Sequence, residues 1–307
     1  MGPEQTAELV AIARRHYLDG LSRVEIATER GLSRFKVGRI LATAVQTGIV
    51  RVDVRAPSGI DYELSEELRM RYGLRRALAV QTDEHLSVLE PLGQVAAELL
   101  REIVTPDDVL GIDCGRTLRA MTGHLSGIAR CDVVQLTGMV GDLGATAIDI
   151  TRVVSEAGGG RVYPVFAPIV VPDARTADIL RTHRGIRATF AAYPRVTKAV
   201  VAIGAWSTEL SQIPAILGEE ETARFAARGV VGETGAILFD REGGRVPGLD
   251  PRRVAVSEEQ LRAVPDVIGV AGGQGKIVAV RAVLESGLLS SLVTDEHLAR
   301  RLLQSPV

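Results

Sequence analysis

From Asp61 to the C-terminus, short apolar runs alternate with amphipathic helical patterns. The runs VLGI at 109–112, AVVAI at 199–203 and VIGV at 267–270 are apolar along their whole length. Strands with one exposed face alternate apolar and polar residues, whereas strands covered on both faces are continuously apolar. The pattern therefore predicts an α/β fold with a Rossmann-like, mostly parallel sheet between two helical layers. Ligands of such sheets bind at the carboxyl ends of the strands.

Composition narrows the class of protein further. Of the 307 residues, 46% are apolar and 24% are charged, a balance typical of globular proteins with a sizeable core. No apolar run approaches the roughly 20 residues of a membrane helix, and the N-terminus lacks a secretory pattern. Cys114 and Cys131 are too few for a disulfide scaffold or a four-cysteine zinc site. We expect a cytoplasmic protein with no membrane partner, metal or cofactor.

The first 55 residues differ from the rest in charge. They carry nine lysines and arginines against six acidic residues, a net charge of +3, whereas the remainder has a net charge of −5. Within this basic segment, a helical pattern at 5–18 precedes two short helical patterns capped by Ser22 and Ser33 and separated by Gly31. Two short helices joined by a tight turn form a helix-turn-helix, here with an additional helix before it.

The second helix of this motif begins with the sequence SRFKVGR. When Val37 and Ile40 face the core, the outward-facing side chains are Ser33, Arg34, Lys36 and Arg39. In a helix-turn-helix this part of the helix enters the major groove, where its first N–H groups meet a phosphate and its basic side chains reach guanine edges. We predict DNA binding by these four residues. A solvated surface helix, or a module for dimerisation or protein binding, is the alternative.

The strand that ends near Ile112 leads to a first candidate ligand site. The sequence GIDCGRTL runs from this strand through Gly115, Arg116 and Thr117 into a helix. Glycine allows the backbone to approach an anion, the helix N-terminus supplies N–H groups, and Arg116 and Thr117 add donors. We predict that this loop binds an anion. An ordinary strand-to-helix turn is the alternative.

A second candidate site is the sequence VAGGQGK at 270–276, which resembles a nucleotide-binding loop. A Walker A loop needs glycine at Val270 and serine or threonine at Ile277, and a dinucleotide loop needs glycine or alanine at Val278. What remains is a strand, a glycine turn and a helix that opens on Lys276, which suits a single phosphate. Because the helix dipole disfavours a lysine there, we also expect a negative group nearby.

A third candidate site is the sequence VVGETGAILFD at 230–240, interpreted as an apolar strand with Glu233 and Asp240 in or beside it. Carboxylates in this position could accept hydrogen bonds from sugar hydroxyls. Solvated turn residues are the alternative.

Sequence patterns of catalysis are scarce. Neither a G-x-S-x-G elbow nor an H-E-x-x-H motif occurs. Cys114 has no identifiable base partner and is interpreted as a small buried side chain, and His124 as an ordinary helix residue. We predict no catalytic residues.

Together the motifs resemble one known family. The S-R-x-x-V-x-R-I-L helix, GIDCGRTL, FAP at 166–168, VAIGA, VVGE followed by FD, VAGGQGK and the closing SLVTDEHLARRLL are similar to the SorC/DeoR-type sugar-binding transcriptional regulators over essentially the whole chain. The resemblance implies a helix-turn-helix joined to an effector domain similar to glucosamine-6-phosphate deaminase and ribose-5-phosphate isomerase. It implies a bacterial regulator of sugar catabolism, a dimer or tetramer, whose affinity for operator DNA is shifted by a phosphorylated sugar or related metabolite.

The resemblance also implies roles for single residues. The loop at 115–117 matches the family's phosphate cradle, Lys276 matches a lysine that contacts the ligand's phosphate, and Glu233 matches an effector-contacting carboxylate, with Asp240 a less close match. The predicted effector-binding residues are Gly115, Arg116, Thr117, Glu233, Asp240, Gly272, Gly273 and Lys276. The sequence departs from the family at Cys114, where many members carry a bulky aromatic residue, and at 138–142, which corresponds only loosely to the ligand-specificity region.

We therefore predict two domains, a DNA-binding domain at 1–56 and a sugar- or sugar-phosphate-binding and oligomerisation domain at 57–307. Pro57, Ser58 and Gly59 are a plausible linker. The alternatives to a ligand-responsive regulator are a sugar-phosphate isomerase or deaminase, and a regulator with a vestigial effector site.

Overall fold

The computed structural model describes residues 2–51, 59–83, 86–140 and 147–304. The chain divides into two compact units, Met1–Ala56 and Pro57–Val307, each with its own hydrophobic core. The predicted domain boundary and most of the predicted linker lie outside the described residues. Within the described ranges, no helix is both long enough and apolar enough to cross a membrane.

The first unit consists of three helices, α1 (Pro3–Tyr17), α2 (Arg23–Arg30) and α3 (Arg34–Gln46). The predicted capping box starts α2, because Ser22 Oγ accepts the Glu25 N–H while the Glu25 carboxylate accepts the Ser22 N–H. Gly31, with φ of 65°, ends α2 in the left-handed conformation that glycine adopts without strain. The helix-turn-helix topology predicted from the sequence is therefore present.

The sequence IVRVDVRA that follows Gly48 alternates apolar and polar residues and predicts a short strand, but no strand forms at its first two residues. Ile49 and Val50 pack against the helical core of the first unit, and Val50 N donates to Ala44 O at 2.9 Å. These two apolar side chains therefore pack at the end of α3 and not in a sheet. The rest of the alternating segment, from residue 52, is outside the described ranges.

The strands of the second unit form two sheets. They are β1 (Ile60–Asp61), β2 (Arg76–Val80), β3 (Val109–Ile112), β4 (Asp132–Gln135), β5 (Val162–Tyr163), β6 (Lys198–Ala202), β7 (Gly204–Ala205), β8 (Gly232–Thr234), β9 (Ile237–Phe239), β10 (Asp266–Val270) and β11 (Ser291–Asp295). The helices of this unit are α4 (Tyr62–Tyr72), α5 (Leu89–Ile103), α6 (Arg116–His124), α7 (Ala147–Gly158), α8 (Ala174–Thr182), α9 (Arg187–Ala192), α10 (Ile213–Leu217), α11 (Glu219–Ala227), α12 (Glu258–Arg262), α13 (Ile277–Glu285) and α14 (Glu296–Gln304).

The large sheet has eight strands in the order β1-β2-β11-β10-β6-β3-β4-β5. All neighbours are parallel except β1, which pairs antiparallel with β2 at one edge. Every residue of β3, β10 and β11 is buried, as expected for strands covered on both faces. The predicted α/β class with a mostly parallel sheet is confirmed.

The strand order reverses between β3 and β6. From β3 the chain continues outward through β4 and β5, and from β6 it continues in the other direction through β10 and β11. Loops that leave two adjacent strands in opposite directions open a crevice at the carboxyl ends of those strands, and ligands bind in such crevices. The topology therefore places a binding site beside the residues that follow β3 and β6.

The sequence at 230–240 was predicted as one strand but forms two. Strands β8 and β9 make an antiparallel hairpin, which joins β7 in a separate three-stranded sheet. Gly235 and Ala236 form its turn with φ of 53° and 59°. Two-residue hairpin turns with positive φ at both positions fit the twist of the strands, but they usually contain Asn-Gly or Asp-Gly. The dipeptide Gly235-Ala236 is not one of these pairs, so the sequence gives no indication of a hairpin.

Candidate effector and DNA-binding sites

A cavity of about 580 Å³ lies at the carboxyl ends of β3, β6, β10 and β11, on the crevice between β3 and β6. Its lining is formed by 86–89, 113–117, Val140, Ile169, 202–204, 208–213, Glu233, Gly235, Ala236, 272–274, Lys276, Asp295 and His297. Seven of the eight predicted effector-binding residues are in this lining. Three sequence segments that are far apart along the chain thus meet at one site.

The loop at Gly115 depends on glycine and leads into α6 at the cavity. Gly115 has φ of 142°, and a Cβ atom added there would lie 2.8 Å from Ala202 Cβ, so both the conformation and the space require glycine. Arg116 is the first residue of α6 and is exposed, while Thr117 is 3% exposed. The first N–H groups of a helix have no partner within the helix and can bind an anion.

The glycine turn after β10 brings Lys276 to the same cavity. A Cβ on Gly272 would lie 2.6 Å from Asp295 Oδ2, and Gly273 has φ of 93°, so this turn also depends on glycine. A single 3₁₀ turn, Gln274–Lys276, precedes α13. Lys276 Nζ donates to the Ile203 carbonyl at 2.6 Å. The helix start predicted at Lys276 is therefore correct to within one residue.

Electrostatics at Lys276 favour an anion. Burial and, to a smaller extent, the nearby Arg116 charge lower the pKa of the Lys276 ammonium, and Glu233 acts in the opposite direction, with a net value of about 8. Two cations that repel each other thus face one cavity. A bound anion would relieve this repulsion, because it attracts both charges in a partly water-excluded space. The negative group expected near Lys276 is Glu233, assisted by the Ile203 carbonyl.

Glu233 is held rigidly in the wall of the cavity. Its carboxylate accepts hydrogen bonds from Ser211 Oγ at 2.8 Å and from Ala236 N at 3.0 Å. Burial, together with the nearby Asp113 charge, raises the pKa of the Glu233 carboxyl to about 6, although the hydrogen bond from Ala236 N acts in the opposite direction. A carboxylate has about four acceptor positions, so this fixed group retains capacity for ligand hydroxyls.

Glu233 should make stability depend on pH. Because its folded-state pKa is about 6 against an ordinary value of 4.5, the protonated carboxyl favours folding below pH 4.5, and this contribution is lost as pH rises through 6. The shift corresponds to about 2 kcal/mol. Urea denaturation should therefore show that Glu233→Gln gains about 2 kcal/mol relative to wild type when pH rises from about 4.5 to about 7.5.

The matched control for this experiment is Asp240→Asn, which neutralises a carboxylate just after the hairpin and outside the cavity lining. The gain in stability expected for Glu233→Gln should be absent in this variant. Parallel pH profiles of wild type and Glu233→Gln would contradict the assignment.

Two buried carboxylates of the site were not singled out from the sequence. Asp113 follows β3 and accepts hydrogen bonds from Cys114 N at 2.7 Å and Thr137 Oγ1 at 2.9 Å, and burial raises the pKa of its carboxyl. Asp295 ends β11 and accepts the Gly273 N–H at 2.7 Å. Both stand at the carboxyl ends of apolar strands, and this position was the signal that could have identified them.

Asp240 is the one predicted effector residue that lies outside the cavity lining. It follows β9, and its Oδ1 accepts the N–H groups of Glu242 at 3.1 Å and Gly244 at 2.6 Å. These bonds shape the turn after the hairpin. The structure thus agrees with the interpretation of Asp240 as a turn residue, and we do not include it in the proposed site.

The surroundings of Cys114 and His124 fit structural rather than catalytic roles. Burial raises the pKa of the Cys114 thiol well above its ordinary value, so the thiol stays protonated and is a poor nucleophile. The Thr137 hydroxyl lies 3.6 Å from its sulfur. His124 Nε2 lies 2.9 Å from Glu90 Oε2 on the surface. Cys114 does line the cavity.

In the first unit, α3 presents a basic surface. Ser33, Arg34, Lys36 and Arg39 are exposed, whereas Val37 is fully buried. Ser33 Oγ accepts the Lys36 N–H at 3.2 Å and so caps the helix. Within the described residues, none of the three basic side chains forms an ion pair, although the Arg34 guanidinium lies 4.8 Å from the centre of the exposed Phe35 ring. These charges are available to a polyanion.

Comparisons with known proteins agree on one family. A family model described as "Putative sugar-binding domain" matches residues 58–304. The chain is 31% identical over 302 residues to the transcriptional regulator LsrR of Klebsiella pneumoniae, which covers 96% of this chain and 93% of the relative. It is 29% identical over 299 residues to the erythritol catabolism regulatory protein EryD of Brucella abortus, covering 95% and 94%.

The fold has a close match among solved structures. The full-length sorbitol operon regulator SorC of Klebsiella pneumoniae superposes with a TM-score of 0.75 at 21% identity, over 98% of this chain and 100% of that one. At this identity the match supports the fold alone, while the family model and the sequence relatives establish the relationship. The chain belongs to the SorC/DeoR-type sugar-binding transcriptional regulators.

Proposed function

We propose that the chain regulates genes of carbohydrate catabolism by binding operator DNA through its first unit and a sugar or sugar phosphate through its second. The observation that carries the effector assignment is the convergence of Arg116 and Lys276 on one cavity, beside the N-terminus of α6. These are the groups that bind a phosphate. In the proposed site, Gly115, Gly272 and Gly273 let the backbone approach it.

The remainder of the cavity suits a polyhydroxylated ligand. Glu233 and Asp113 are fixed carboxylates with unused acceptor positions, and they face the same space as the two cations. A volume of about 580 Å³ lies within the range of small-molecule sites. We propose that the phosphate binds between Arg116 and Lys276 and that hydroxyls bind to the carboxylates.

One observation favours a second function, that of a sugar-phosphate isomerase or deaminase. Glu233 with a pKa of about 6 and Lys276 with a pKa of about 8 lie in the range of acid–base catalysts. Recognition of a hydroxyl and a phosphate needs the same two groups, and the relatives LsrR and EryD are named as regulators. We therefore propose that the chain is not an enzyme. Turnover of a sugar phosphate by the purified protein would favour the enzyme instead.

We further propose that the protein acts in the cytoplasm as a homo-oligomer, a dimer or tetramer. Helix-turn-helix proteins commonly pair their recognition helices on two half-sites of an operator. An effector that binds one arrangement of the subunits more tightly than another shifts the population and so changes operator affinity.

A melting-temperature screen tests the ligand class. Any compound that binds only the folded protein raises its melting temperature, by an amount set by concentration and affinity. We expect sugar phosphates to stabilise the protein more than the corresponding unphosphorylated sugars. Stabilisation by neither class would contradict the proposed effector site.

A further inference from the structure

A six-residue segment, 207–212, crosses the cavity between β7 and α10, and we call it the strap. It contacts each element that the effector site uses. The Glu209 carbonyl accepts a hydrogen bond from Arg116 Nη2 at 2.6 Å, and Ser211 Oγ donates to Glu233. Leu210 lies over the glycine turn, since a Cβ on Gly275 would be 2.8 Å from Leu210 Cδ1. Five residues of the strap line the cavity.

The strap has little structure of its own. Its backbone hydrogen bonds are short-range, with the Leu210 and Ser211 N–H groups donating to the Ser207 carbonyl at 3.2 and 2.9 Å. Thr208, Glu209 and Gln212 are exposed. Segments with few buried contacts and local hydrogen bonds open at low free-energy cost. The position of the strap therefore depends on its contacts with α6, Glu233 and the glycine turn.

Arg116 can contact the strap and a ligand at the same time. Its guanidinium is planar and carries five N–H donors, of which one binds the Glu209 carbonyl. Arg116 is the first residue of α6, so its side chain starts at the helix N-terminus whose N–H groups are predicted to bind the phosphate. A guanidinium can present one edge to a carbonyl and another to a phosphate, whereas a lysine ammonium acts as a single point charge.

We propose that Arg116 is a positioning residue that couples occupancy of the cavity to closure of the strap. A bound anion fixes the guanidinium, and the fixed guanidinium holds the Glu209 carbonyl, so the strap is closed when the site is filled. This inference rests on the proposed function, because it takes the anion to bind between Arg116 and Lys276. It goes beyond that function in assigning the strap as the part of the domain that responds to binding.

Hydrogen–deuterium exchange of the full-length protein tests this coupling, with inorganic phosphate as the probe. In wild type, phosphate should slow exchange both at the glycine turn, 272–276, and in the strap, the latter by about tenfold, as expected for one charge-assisted hydrogen bond. In Arg116→Lys, the phosphate concentration is raised until the glycine turn is protected as in wild type, and at that occupancy exchange in the strap should not slow. Arg119→Ala removes an exposed arginine one turn further along α6 and should behave as wild type.

Protection of the glycine turn distinguishes a failure of the proposed coupling from a failure of the proposed anion site. Protection of 272–276 without protection of the strap in wild type would overturn the coupling and leave the anion site intact. Equal protection of the strap in wild type and Arg116→Lys would also overturn it. If phosphate protects neither segment in wild type, both the coupling and the proposed anion site are wrong.

Discussion

Replacing Lys276 with methionine should abolish most of the stabilisation that a sugar phosphate gives the wild-type protein. At a ligand concentration of roughly 100 times the dissociation constant, binding stabilises wild type by about 2.7 kcal/mol, or roughly 5–10 °C. Loss of a buried charge-assisted contact costs about 3 kcal/mol and weakens binding by roughly 100-fold. The same ligand concentration should then raise the melting temperature of the variant by only about 1 °C.

Methionine is chosen because Lys276 is half-buried in the cavity lining, and methionine is a similarly unbranched side chain without the charge. The matched control is Lys36→Met, which removes a lysine from the first unit and should retain the full wild-type shift. A shift of wild-type size in Lys276→Met would exclude Lys276 as a phosphate ligand.

The double substitution Arg34→Ala with Lys36→Ala should abolish operator binding and leave effector binding unchanged. Each contact of such a side chain with a base edge is worth about 1–3 kcal/mol, so the pair should weaken binding by about 2–6 kcal/mol. If both side chains contact phosphates instead, binding should weaken less and the slope of log affinity against log salt concentration should fall by about 2.

Fluorescence anisotropy on the promoter fragment, measured at several salt concentrations, distinguishes these cases. Arg14→Ala is the matched control, because it removes an exposed charge from α1 of the same unit. Operator affinity of wild-type strength in the double variant would refute the assignment of α3 as the recognition helix.

The convergence of the effector residues could be predicted from the sequence because it follows from sheet topology. Parallel strands place their carboxyl ends at one edge, so the loops at Gly115 and Lys276 had to lie on the same side of the sheet. The strand order that makes β3 and β6 neighbours was not predictable, since it depends on long-range pairing. The depth of burial of Asp113, which follows β3, depends on that order.

The sequence predictions that the structure contradicts, at 230–240 and after Gly48, failed for local physical reasons. The hairpin at 230–240 has the turn Gly235-Ala236, and alanine is an unusual residue at positive φ, so the segment was interpreted as one strand. With the hairpin in place, Asp240 falls beyond β9 and outside the cavity lining. Ile49 and Val50 alternate with the residues after them like a strand, but the small helical unit needs their apolar side chains for its own core.

The strap was missed because it carries no recognisable motif. Its residues, STELSQ, have the composition of a surface loop, and the contact of Arg116 with this segment goes to a backbone carbonyl. Sequence motifs are defined by side chains, so they cannot indicate a role that depends on a backbone carbonyl.

We propose that filling the cavity of the second unit changes how tightly the first unit binds DNA. The most direct test is the operator dissociation constant at fixed salt, with and without a saturating sugar phosphate, in wild type and in Lys276→Met. We expect a change of at least about fivefold in wild type, the lower end of typical allosteric couplings, and no change in the variant. An unchanged dissociation constant in wild type, when both ligands are shown to bind, would contradict this account.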